Sequence, residues 1–304
     1  MQNCLWFKTV ACLLLLAGSV TAQQPAASKR KIVLVAGETA KVDVMGHHDY
    51  LAGCQCLDVL LRQTPGVTCV SVREGWPEDE AVFNDASSIV FYTDGGGKQA
   101  FMTSPARIAR MQALVDRGVG LVMIHQAVDF LDENGDQALS WLGGVYLKSV
   151  SGRGHWDSKH VDFPQHPITR GVTAWSINDG WLNKLKFVGD MKGITPLVWS
   201  GKEYAGSRAG LDGDVVAWAY ERPGGGRSFG FTGLDAHSAW KLAGMRQLVV
   251  NGVLWSAGVD IPEKGAPCTI DDAELDRMQT PREPKPKAAP KAAPKAKAAT
   301  EKAQ

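Results

Sequence analysis

Buried-strand patterns and helical patterns alternate along the first half of the chain. Four largely apolar runs are typical of strands covered on both faces: Lys31–Ala36, Val67–Val72, Ser88–Thr93 and Val119–His125. Between them, the spacing of apolar residues predicts helices over Tyr50–Gln63, Asp79–Ala86 and Ser104–Arg117. This alternation predicts an α/β fold built on a doubly wound, mostly parallel sheet.

The second half adds strands and a closing helix. Strands are predicted over Thr195–Ser200, Asp214–Tyr220 and Arg227–Thr232, and a helix over Trp240–Trp255. The last two strands flank Arg222–Gly226, where a proline and three glycines predict a hairpin turn. Residues 134–194 give weaker signals, so loops, short helices and an insertion over the end of the sheet are expected there.

Both ends of the chain differ in composition from the middle. Residues 1–22 combine Lys8, the apolar run Val10–Val20 and small residues up to Ala22, which predicts a secretory signal peptide. A membrane anchor is the alternative, although the run is short for a bilayer span. Residues 281–304 alternate Lys, Ala and Pro, which predicts a disordered tail. We therefore expect an exported, periplasmic or extracellular protein with a linker at 23–30, one domain at 31–262 and a connecting segment at 263–280.

Charge is divided between the domain and the tail. The tail carries seven basic residues against Glu283 and Glu301, whereas the whole chain has a net charge of +1. The part that folds is therefore mildly acidic. A solvated tether and contact with anionic surfaces are both hypotheses for the tail, and nothing in the domain indicates nucleic-acid recognition.

Four cysteines follow the predicted signal peptide, at Cys54, Cys56, Cys69 and Cys268. Their spacing does not match a zinc knuckle. Buried thiols are expected, with a disulfide from the helix to Cys69 as the alternative in an exported protein.

Histidines and acidic residues follow the predicted strands where each strand ends. The first strand leads to the loop Gly46–Asp49, and later strands lead to Asp94–Gly97, His125–Asp129 and Gly233–His237. Ligands of open parallel sheets bind outside the carboxyl ends of the strands. The sequence therefore predicts one common site for these segments.

Five motifs stand in a characteristic order: Ile124–Asp129, Gly154–Trp156, His166–Val172, Gly224–Gly233 followed by His237 and Trp240, and Asn251–Gly258. They resemble the ThuA-like (trehalose-utilisation) family over roughly residues 31–262. The resemblance implies a flavodoxin-like fold related to class I glutamine amidotransferases, and an association with trehalose and related disaccharides. Amidotransferases carry a cysteine on the turn after a central strand, where this chain has His125, so amidotransferase chemistry is not expected.

The resemblance also implies site residues and shows departures from the family pattern. Tyr50 and Asp235 stand where the family has histidines, Gly180 stands where it has Glu, and Asp49 and Asp129 replace longer acids. The implied pocket keeps its outline with altered acid–base groups. The predicted catalytic residues are His125, Asp129, His155 and His237, and the predicted substrate-binding residues are His48, Asp49, Asp94, Gly95, Gly96, Trp156, Asp179, Trp181, Asp235 and Trp240.

Three functions fit these residues. The first is acid–base processing of a keto-disaccharide or related sugar, by isomerisation or elimination, with His125 as base or acid and His155 and His237 as partners. The second is a metal-dependent hydrolase, which no HExxH-type spacing supports, so a divalent metal is not the favoured cofactor. The third is a glycan-binding protein without turnover. Wild type and His125→Ala, screened on oxidised and unoxidised disaccharides, would separate these hypotheses.

Overall fold

A seven-stranded sheet organises the domain, which the computed structural model describes over residues 29–38, 46–200 and 214–281. The strands of the described chain are β1 (Arg30–Ala36), β2 (Val67–Val72), β3 (Ala86–Tyr92), β4 (Gly120–Ile124), β5 (Asp129–Phe130), β6 (Gly144–Leu147), β7 (Gly152–His160), β8 (Trp175–Asn183), β9 (Lys186–Phe187), β10 (Ile194–Ser200), β11 (Asp214–Glu221) and β12 (Arg227–Phe231). The helices are α1 (Tyr50–Leu61), α2 (Pro105–Asp116), α3 (Gly135–Leu142), α4 (Ala243–Ser256) and α5 (Asp272–Met278). The predicted signal peptide, nearly all of the linker and the tail beyond Pro281 lie outside the described residues.

The main sheet is mostly parallel, as predicted. Its strand order is β10-β11-β12-β4-β3-β1-β2. The five strands from β12 to β2 are parallel neighbours, while β10 and β11 add an antiparallel edge. The predicted hairpin joins β11 to β12, and its Gly225 and Gly226 have positive φ. All five residues of β4 are buried, which is why its sequence is apolar without alternation.

Helices cover both faces of this sheet. Helices α1 and α4 pack in one apolar cluster, and α2 and α3 pack in a second cluster on the opposite face. Local capping fixes where these helices begin: Asp49 accepts from Ala52 N before α1, and Ser104 accepts from Arg107 N before α2. The two-sided packing makes the sheet doubly wound, so its carboxyl edge is left to the loops.

Two predicted elements have different forms in the structure. The helix predicted at Asp79–Ala86 is a short 3₁₀ turn, Glu80–Phe83, in which only Phe83 is buried, and β3 already begins at Ala86. The closing helix predicted from Trp240 begins at Ala243, because Leu242 has an extended backbone and separates α4 from a 3₁₀ turn at His237–Lys241. Both errors come from short apolar spacings that 3₁₀ and α turns share.

The expected irregular segment at 134–194 is largely regular, which corrects the sequence analysis. It contains α3, four complete strands and the first residue of β10, and β7 and β8 pair along nine residues each as an antiparallel ribbon. The buried positions of β7 are Trp156, Ser158 and His160. Two of these three residues are polar, so the alternation of buried and exposed positions does not read as an apolar pattern.

The segment after 262 packs on the domain. Ala266, Ile270 and Leu275 are buried in the cluster that holds α1 and α4, and Cys56 Sγ donates to Met278 Sδ at 3.5 Å. Cys54, Cys56, Cys69 and Cys268 are free thiols, so the alternative disulfide to Cys69 is absent from this structure. None of the helices in the described ranges is long and apolar enough to cross a membrane.

Candidate functional site

Three loops meet at the carboxyl edge of the parallel strands. The loop before α1 lies against the segment after β12, because His48 N donates to the Asp235 carbonyl oxygen at 2.9 Å and His47 forms a β-bridge to the same segment. The turn after β4 lies beside them, with His125 Nδ1 2.9 Å from the Thr232 carbonyl oxygen. The structure thereby brings together three of the residues that the sequence predicted.

The Asp235 carboxylate is the centre of this region. Its Oδ1 lies 2.9 Å from His48 Nε2 and 3.3 Å from His125 Nε2. Its Oδ2 lies 2.9 Å from His47 Nδ1 and 2.7 Å from His155 Nε2. We call these five residues the Asp235 cluster. Imidazole nitrogens and carboxylate oxygens both transfer protons and bind divalent transition metals, so the cluster suits either chemistry.

The charge of Asp235 is set by its histidines. Burial alone would raise the pKa of the carboxyl, but the adjacent rings of His125, His48 and His47 more than offset burial and hold the pKa well below its usual range. Asp235 is therefore a carboxylate at neutral pH.

The Asp235 cluster has a buried floor and an exposed rim. His125 and Asp235 are each 2 % exposed. The side chains of His47 and His155 are 40 % and 59 % exposed. Groups on the rim can meet a ligand from solvent, whereas those on the floor hold fixed positions.

The backbone of this region is strained. His48, His125 and Leu234 all have positive φ, at 51°, 55° and 69°. Residues other than glycine rarely adopt this left-handed backbone conformation. It costs about 1–3 kcal/mol for each residue and is typical of functional sites. The surrounding contacts must maintain it.

Asp179 and Tyr92 provide such contacts on either side of Asp235. The Asp179 carboxylate accepts from Leu234 N at 2.7 Å and from Ala236 N at 3.3 Å. The Tyr92 hydroxyl donates to the Leu234 carbonyl oxygen. Burial is the largest influence on Asp179 and raises the pKa of its carboxyl. The predicted substrate residue Asp179 thus clamps the loop and positions Asp235.

The β7–β8 ribbon closes the site from the other side. His155 on β7 pairs with Gly180 on β8. A Cβ on Gly180 would lie 2.7 Å from Asp235 Oδ2, so a side chain cannot be accommodated there without moving the carboxylate. Two departures from the family pattern are therefore linked, because Asp235 occupies space that a glutamate at position 180 would need.

A pocket of about 220 Å³ opens above the Asp235 cluster. Its lining consists of His48, His125, Gln126, Arg153, Gly154, His155, Gly180, Trp181, Leu182 and Asp235. Five of the predicted site residues are among them. The volume is below the roughly 300–1,000 Å³ of pockets for drug-sized ligands. It fits one ring of a sugar better than a whole disaccharide.

Two predicted residues serve the C-terminal segment instead of the pocket. Asp49 accepts from Thr280 N and from Thr280 Oγ1, both at 2.7 Å, in addition to capping α1. His237 Nε2 donates to the Leu275 carbonyl oxygen at 2.7 Å. Both side chains therefore tie α5 and the residues after it to the domain.

The glycine turn after β3 packs against the turn that carries His125. Gly96 N donates to the Asp129 carbonyl oxygen at 2.7 Å, and a Cβ on Gly95 would lie 2.2 Å from the Gln126 carbonyl oxygen. These glycines therefore allow two segments of the protein backbone to pack closely against each other, and not a ligand against the backbone. The Asp129 carboxylate accepts from Arg153 Nη1 at 3.2 Å beside the pocket.

Asp94 and Tyr50 support the ring of His48. The Tyr50 hydroxyl donates to Asp94 Oδ1 at 2.6 Å, and the Tyr50 ring stacks on the His48 ring at 5.8 Å with a 9° tilt. Burial raises the pKa of Tyr50 well above its usual range, so the hydroxyl stays protonated and donating.

The predicted tryptophans are mainly wall and core. Trp181 lines the pocket but is only 1 % exposed, and Trp156 stacks on it at 6.5 Å. Trp240 is buried beside Gly53. These rings therefore offer a ligand little open surface for stacking.

Two further histidines, His160 and His166, lie outside the pocket of the Asp235 cluster. His160 is fully buried against Trp175, and burial lowers its pKa to about 4. His166 Nδ1 accepts from Ile168 N, so it braces its turn, and burial lowers its pKa to about 4 as well. Sequence reasoning missed His47, Gln126 and Arg153 as site residues, although His47 adjoins the predicted His48.

Comparisons with known proteins show the family and the fold of the chain. The profile of a family described as trehalose utilisation, ThuA, matches residues 32–256. No curated protein is significantly similar to the chain.

Solved structures resemble the fold. A putative ThuA-like protein of Bacteroides uniformis has a TM-score of 0.54 at 14% identity, covering 82% of this chain and 98% of its own. One from Parabacteroides merdae has a TM-score of 0.51 at 15% identity, covering 80% and 96%. A glutamine amidotransferase of Thermotoga maritima has a TM-score of 0.38 at 12% identity, covering 75% and 96%.

Proposed function

This chain belongs to the ThuA, trehalose-utilisation family, and from that premise we propose that it is an exported protein that processes a keto-disaccharide or related sugar by acid–base chemistry. Family membership associates the chain broadly with carbohydrate metabolism. The observation that carries the finer proposal is the His155–Asp235 pair at the pocket, where an exposed imidazole lies 2.7 Å from a buried carboxylate.

His155 is the group that exchanges the proton with the sugar. Its ring is on the exposed rim, so a bound substrate can reach it, and Asp235 Oδ2 orients the ring. His125, which was predicted for this role from its position after β4, has a buried ring whose Nδ1 is bonded to the Thr232 carbonyl oxygen. His125 acts from the floor of the pocket as a partner.

Proton abstraction beside a carbonyl fits this arrangement. The imidazole of His155 takes a proton from the carbon next to the keto group, and the C–H electron pair forms the double bond of an enolate. When that carbon carries a hydroxyl, transfer of the hydroxyl proton to the enolate oxygen and return of the proton from His155 to the former carbonyl carbon give an isomer. When the next carbon along carries a leaving group, the enolate re-forms the carbonyl, its double-bond pair makes the new C=C bond, and the group departs with its own bonding pair, giving an elimination product. Arg153 at the pocket donates hydrogen bonds to sugar oxygens during this step.

The test is a screen of keto-disaccharides and unoxidised disaccharides, trehalose among them, with sugar loss and product followed by NMR. We expect wild type to consume a keto-sugar. His155→Gln should reduce the rate by about 10²-fold or more, as expected for loss of a general acid or base. The matched control is His166→Gln, which changes a histidine outside the pocket and should keep the rate within about threefold.

Two results would count against this proposal. Turnover by His155→Gln at the wild-type rate would remove His155 from the reaction. Saturable binding of a glycan with no turnover by wild type would favour the glycan-binding alternative.

Export is the second part of the proposal. It is supported by the apolar run Val10–Val20 and the small residues up to Ala22. N-terminal sequencing of the protein recovered outside the cytoplasm should begin at Gln23. Recovery of a chain that retains residues 1–22 would contradict cleavage and favour an anchor.

A further inference from the structure

Three atoms of metal-ligating type converge on the floor of the pocket. His48 Nε2, His125 Nε2 and Asp235 Oδ1 all lie within 4.8 Å of one another. They come from three separate loops, and two of the three residues hold strained backbone conformations to reach this point: His48 and His125. The arrangement is therefore maintained against a local energetic cost.

A neutral His125 ring cannot donate a hydrogen bond to Asp235. His125 Nδ1 faces the Thr232 carbonyl oxygen at 2.9 Å, and a carbonyl can only accept, so Nδ1 carries the proton. In the neutral ring, Nε2 then presents a lone pair to Asp235 Oδ1, which also has only lone pairs. Both atoms are buried, and neither makes a hydrogen bond of good geometry among the described residues, although His48 Nε2 also lies 2.9 Å from Oδ1. Two buried acceptors that face each other call for a positive charge between them.

The other oxygen of the same carboxylate provides an internal contrast. His47 Nδ1 at 2.9 Å and His155 Nε2 at 2.7 Å both have hydrogen-bond geometry to Asp235 Oδ2. These two rings can donate hydrogen bonds to Oδ2, so no cation is needed to explain why they lie close to the carboxylate. The unexplained side of the carboxylate is the Oδ1 side.

Two separations on the Oδ1 side match the edges of a metal coordination polyhedron. With bonds of about 2.0–2.2 Å, neighbouring ligand atoms in tetrahedral or octahedral sites lie roughly 2.8–3.6 Å apart. Asp235 Oδ1 lies 2.9 Å from His48 Nε2 and 3.3 Å from His125 Nε2. The second ring nitrogen of a metal-bound histidine also donates its N–H to a carbonyl or carboxylate oxygen, as His125 Nδ1 does to the Thr232 carbonyl oxygen.

From these contacts we propose that His48, His125 and Asp235 bind one divalent transition-metal ion of the Zn²⁺ or Co²⁺ type. Two imidazoles and one carboxylate suit these ions and leave at least one coordination position open to the pocket. The Gln126 amide nitrogen, 3.1 Å from His48 Nε2, gives up that contact when the ion binds.

The proposed ion gives Asp235 two functions. Its Oδ1 binds the metal while its Oδ2 orients His155, so one carboxylate links the ion to the proton-carrying ring. Polarisation of the keto oxygen of a sugar by the ion rests on the proposed function. Metal binding itself does not, because it follows from the ligand atoms alone.

Direct binding measurements test the proposal. Protein purified without a histidine tag is stripped with a chelator and titrated with Co²⁺, followed by visible absorption and calorimetry. We expect one Co²⁺ per chain, displaced by Zn²⁺, and a higher Tm for the loaded protein. His48→Gln and His125→Gln should each weaken binding by at least a hundredfold. His155→Gln, which changes a ring on the other oxygen, should bind Co²⁺ within about threefold of wild type.

The outcomes separate the two proposals. Circular dichroism of the stripped variants shows whether each is folded, and Asp235→Asn, which keeps the shape of the side chain, replaces any variant that is not. Wild type that binds no Co²⁺, or folded His125→Gln that binds it like wild type, overturns the metal site whatever the activity. Binding lost in His155→Gln but kept in His125→Gln also overturns it, because the ion would then lie on Oδ2. Stoichiometric binding without sugar turnover upholds the metal site and counts only against the proposed function.

Discussion

Two buried aspartates at the same edge of the sheet are used in opposite ways. Asp49 is 3 % exposed, and its two oxygens accept hydrogen bonds from Ala52 N and from the amide and hydroxyl of Thr280. Asp235 is 2 % exposed, and imidazoles surround it in place of backbone donors. Both were predicted as substrate-binding residues from their position after a strand together with the family resemblance.

The difference shows what distinguishes a structural acid from a functional one here. The hydrogen bonds to Asp49 have a structural role, because they cap α1 and attach the segment after α5 to the domain. Asp235 holds titratable rings beside a pocket, and Oδ1 has no hydrogen-bond partner among the residues described. Backbone strain and incomplete hydrogen bonding distinguish the functional site around Asp235. Complete hydrogen bonding distinguishes the structural acid, Asp49.

The largest effect is expected from Asp235→Asn. Loss of the negative charge should lower Co²⁺ affinity by at least a hundredfold and abolish sugar turnover, because the amide neither binds a metal well nor holds His155 as the carboxylate does. Calorimetric titration and the NMR assay measure these effects. The stability of the stripped protein should change less than in Asp49→Asn. Wild-type Co²⁺ affinity in Asp235→Asn would erase the contrast between the two acids.

Asp49→Asn is the matched change at the structural acid. The new NH₂ group must face a donor, so the free energy of unfolding should fall by about 2 kcal/mol, within the usual range for a buried polar group left unsatisfied. Denaturant titration measures this loss. Co²⁺ affinity should stay within about threefold of wild type. A stability equal to wild type would show that the Thr280 contacts contribute little.

Gly180→Ala should have a smaller effect on Co²⁺ affinity, and it should disturb Asp235 without disturbing Asp49. Its Cβ would lie 2.7 Å from Asp235 Oδ2 and displace the carboxylate, so Co²⁺ affinity should fall about tenfold, equivalent to about 1.4 kcal/mol. The control is Gly154→Ala on the facing strand, where the nearest atom to a new Cβ is 3.7 Å away in Trp156. Equal affinities for the two variants would contradict the tight contact at Gly180.

Asp129→Asn should have the smallest effect and sharpens the comparison with a third buried acid. Burial raises the pKa of Asp129 to about 6, although Arg153 and Lys98 lower it. In the unfolded chain the Asp129 carboxyl has its ordinary pKa of about 3.9. The free energy of unfolding of wild type therefore falls as pH rises from about 4 to about 6. The variant lacks this loss and should be more stable than wild type above pH 6 by about 1 kcal/mol, a value reduced for solvent screening.

Denaturant titrations between pH 4 and pH 7 measure the difference between Asp129→Asn and wild type. It should grow as pH rises through this window. Asp136→Asn is the control, because its carboxylate on α3 is fully exposed and no comparable slope is expected. A difference that stays constant with pH would show that Asp129 is not the titrating group.

Much of the scaffold could be predicted from the sequence because its strands are buried on both faces. Residues such as Val33, Val90 and Val122 lie in continuous apolar runs, and this pattern has few other structural solutions. The β7–β8 ribbon could not be predicted in the same way. His160 and Ser158 occupy its buried positions, so the sequence carries no apolar alternation there.

The sequence could predict which loops form the candidate site, but not how their side chains are arranged. Position after a strand, together with the family resemblance, pointed to His48, His125, His155 and Asp235, which the structure brings together. The same signals also pointed to Asp49, because a helix cap and a ligand-binding acid look alike in sequence. Convergence on Oδ1 depends on backbone conformation in separate loops, so the sequence could suggest a metal-dependent enzyme as one alternative but could not indicate which residues would bind the ion.

The most direct test of the central role of Asp235 is anomalous diffraction from crystals of Co²⁺-loaded protein, with data on both sides of the cobalt edge. The account predicts one peak at bonding distance from His48 Nε2, His125 Nε2 and Asp235 Oδ1, which disappears in Asp235→Asn. A loaded crystal with no peak at those atoms, or with its peak between His47 and His155, would contradict it.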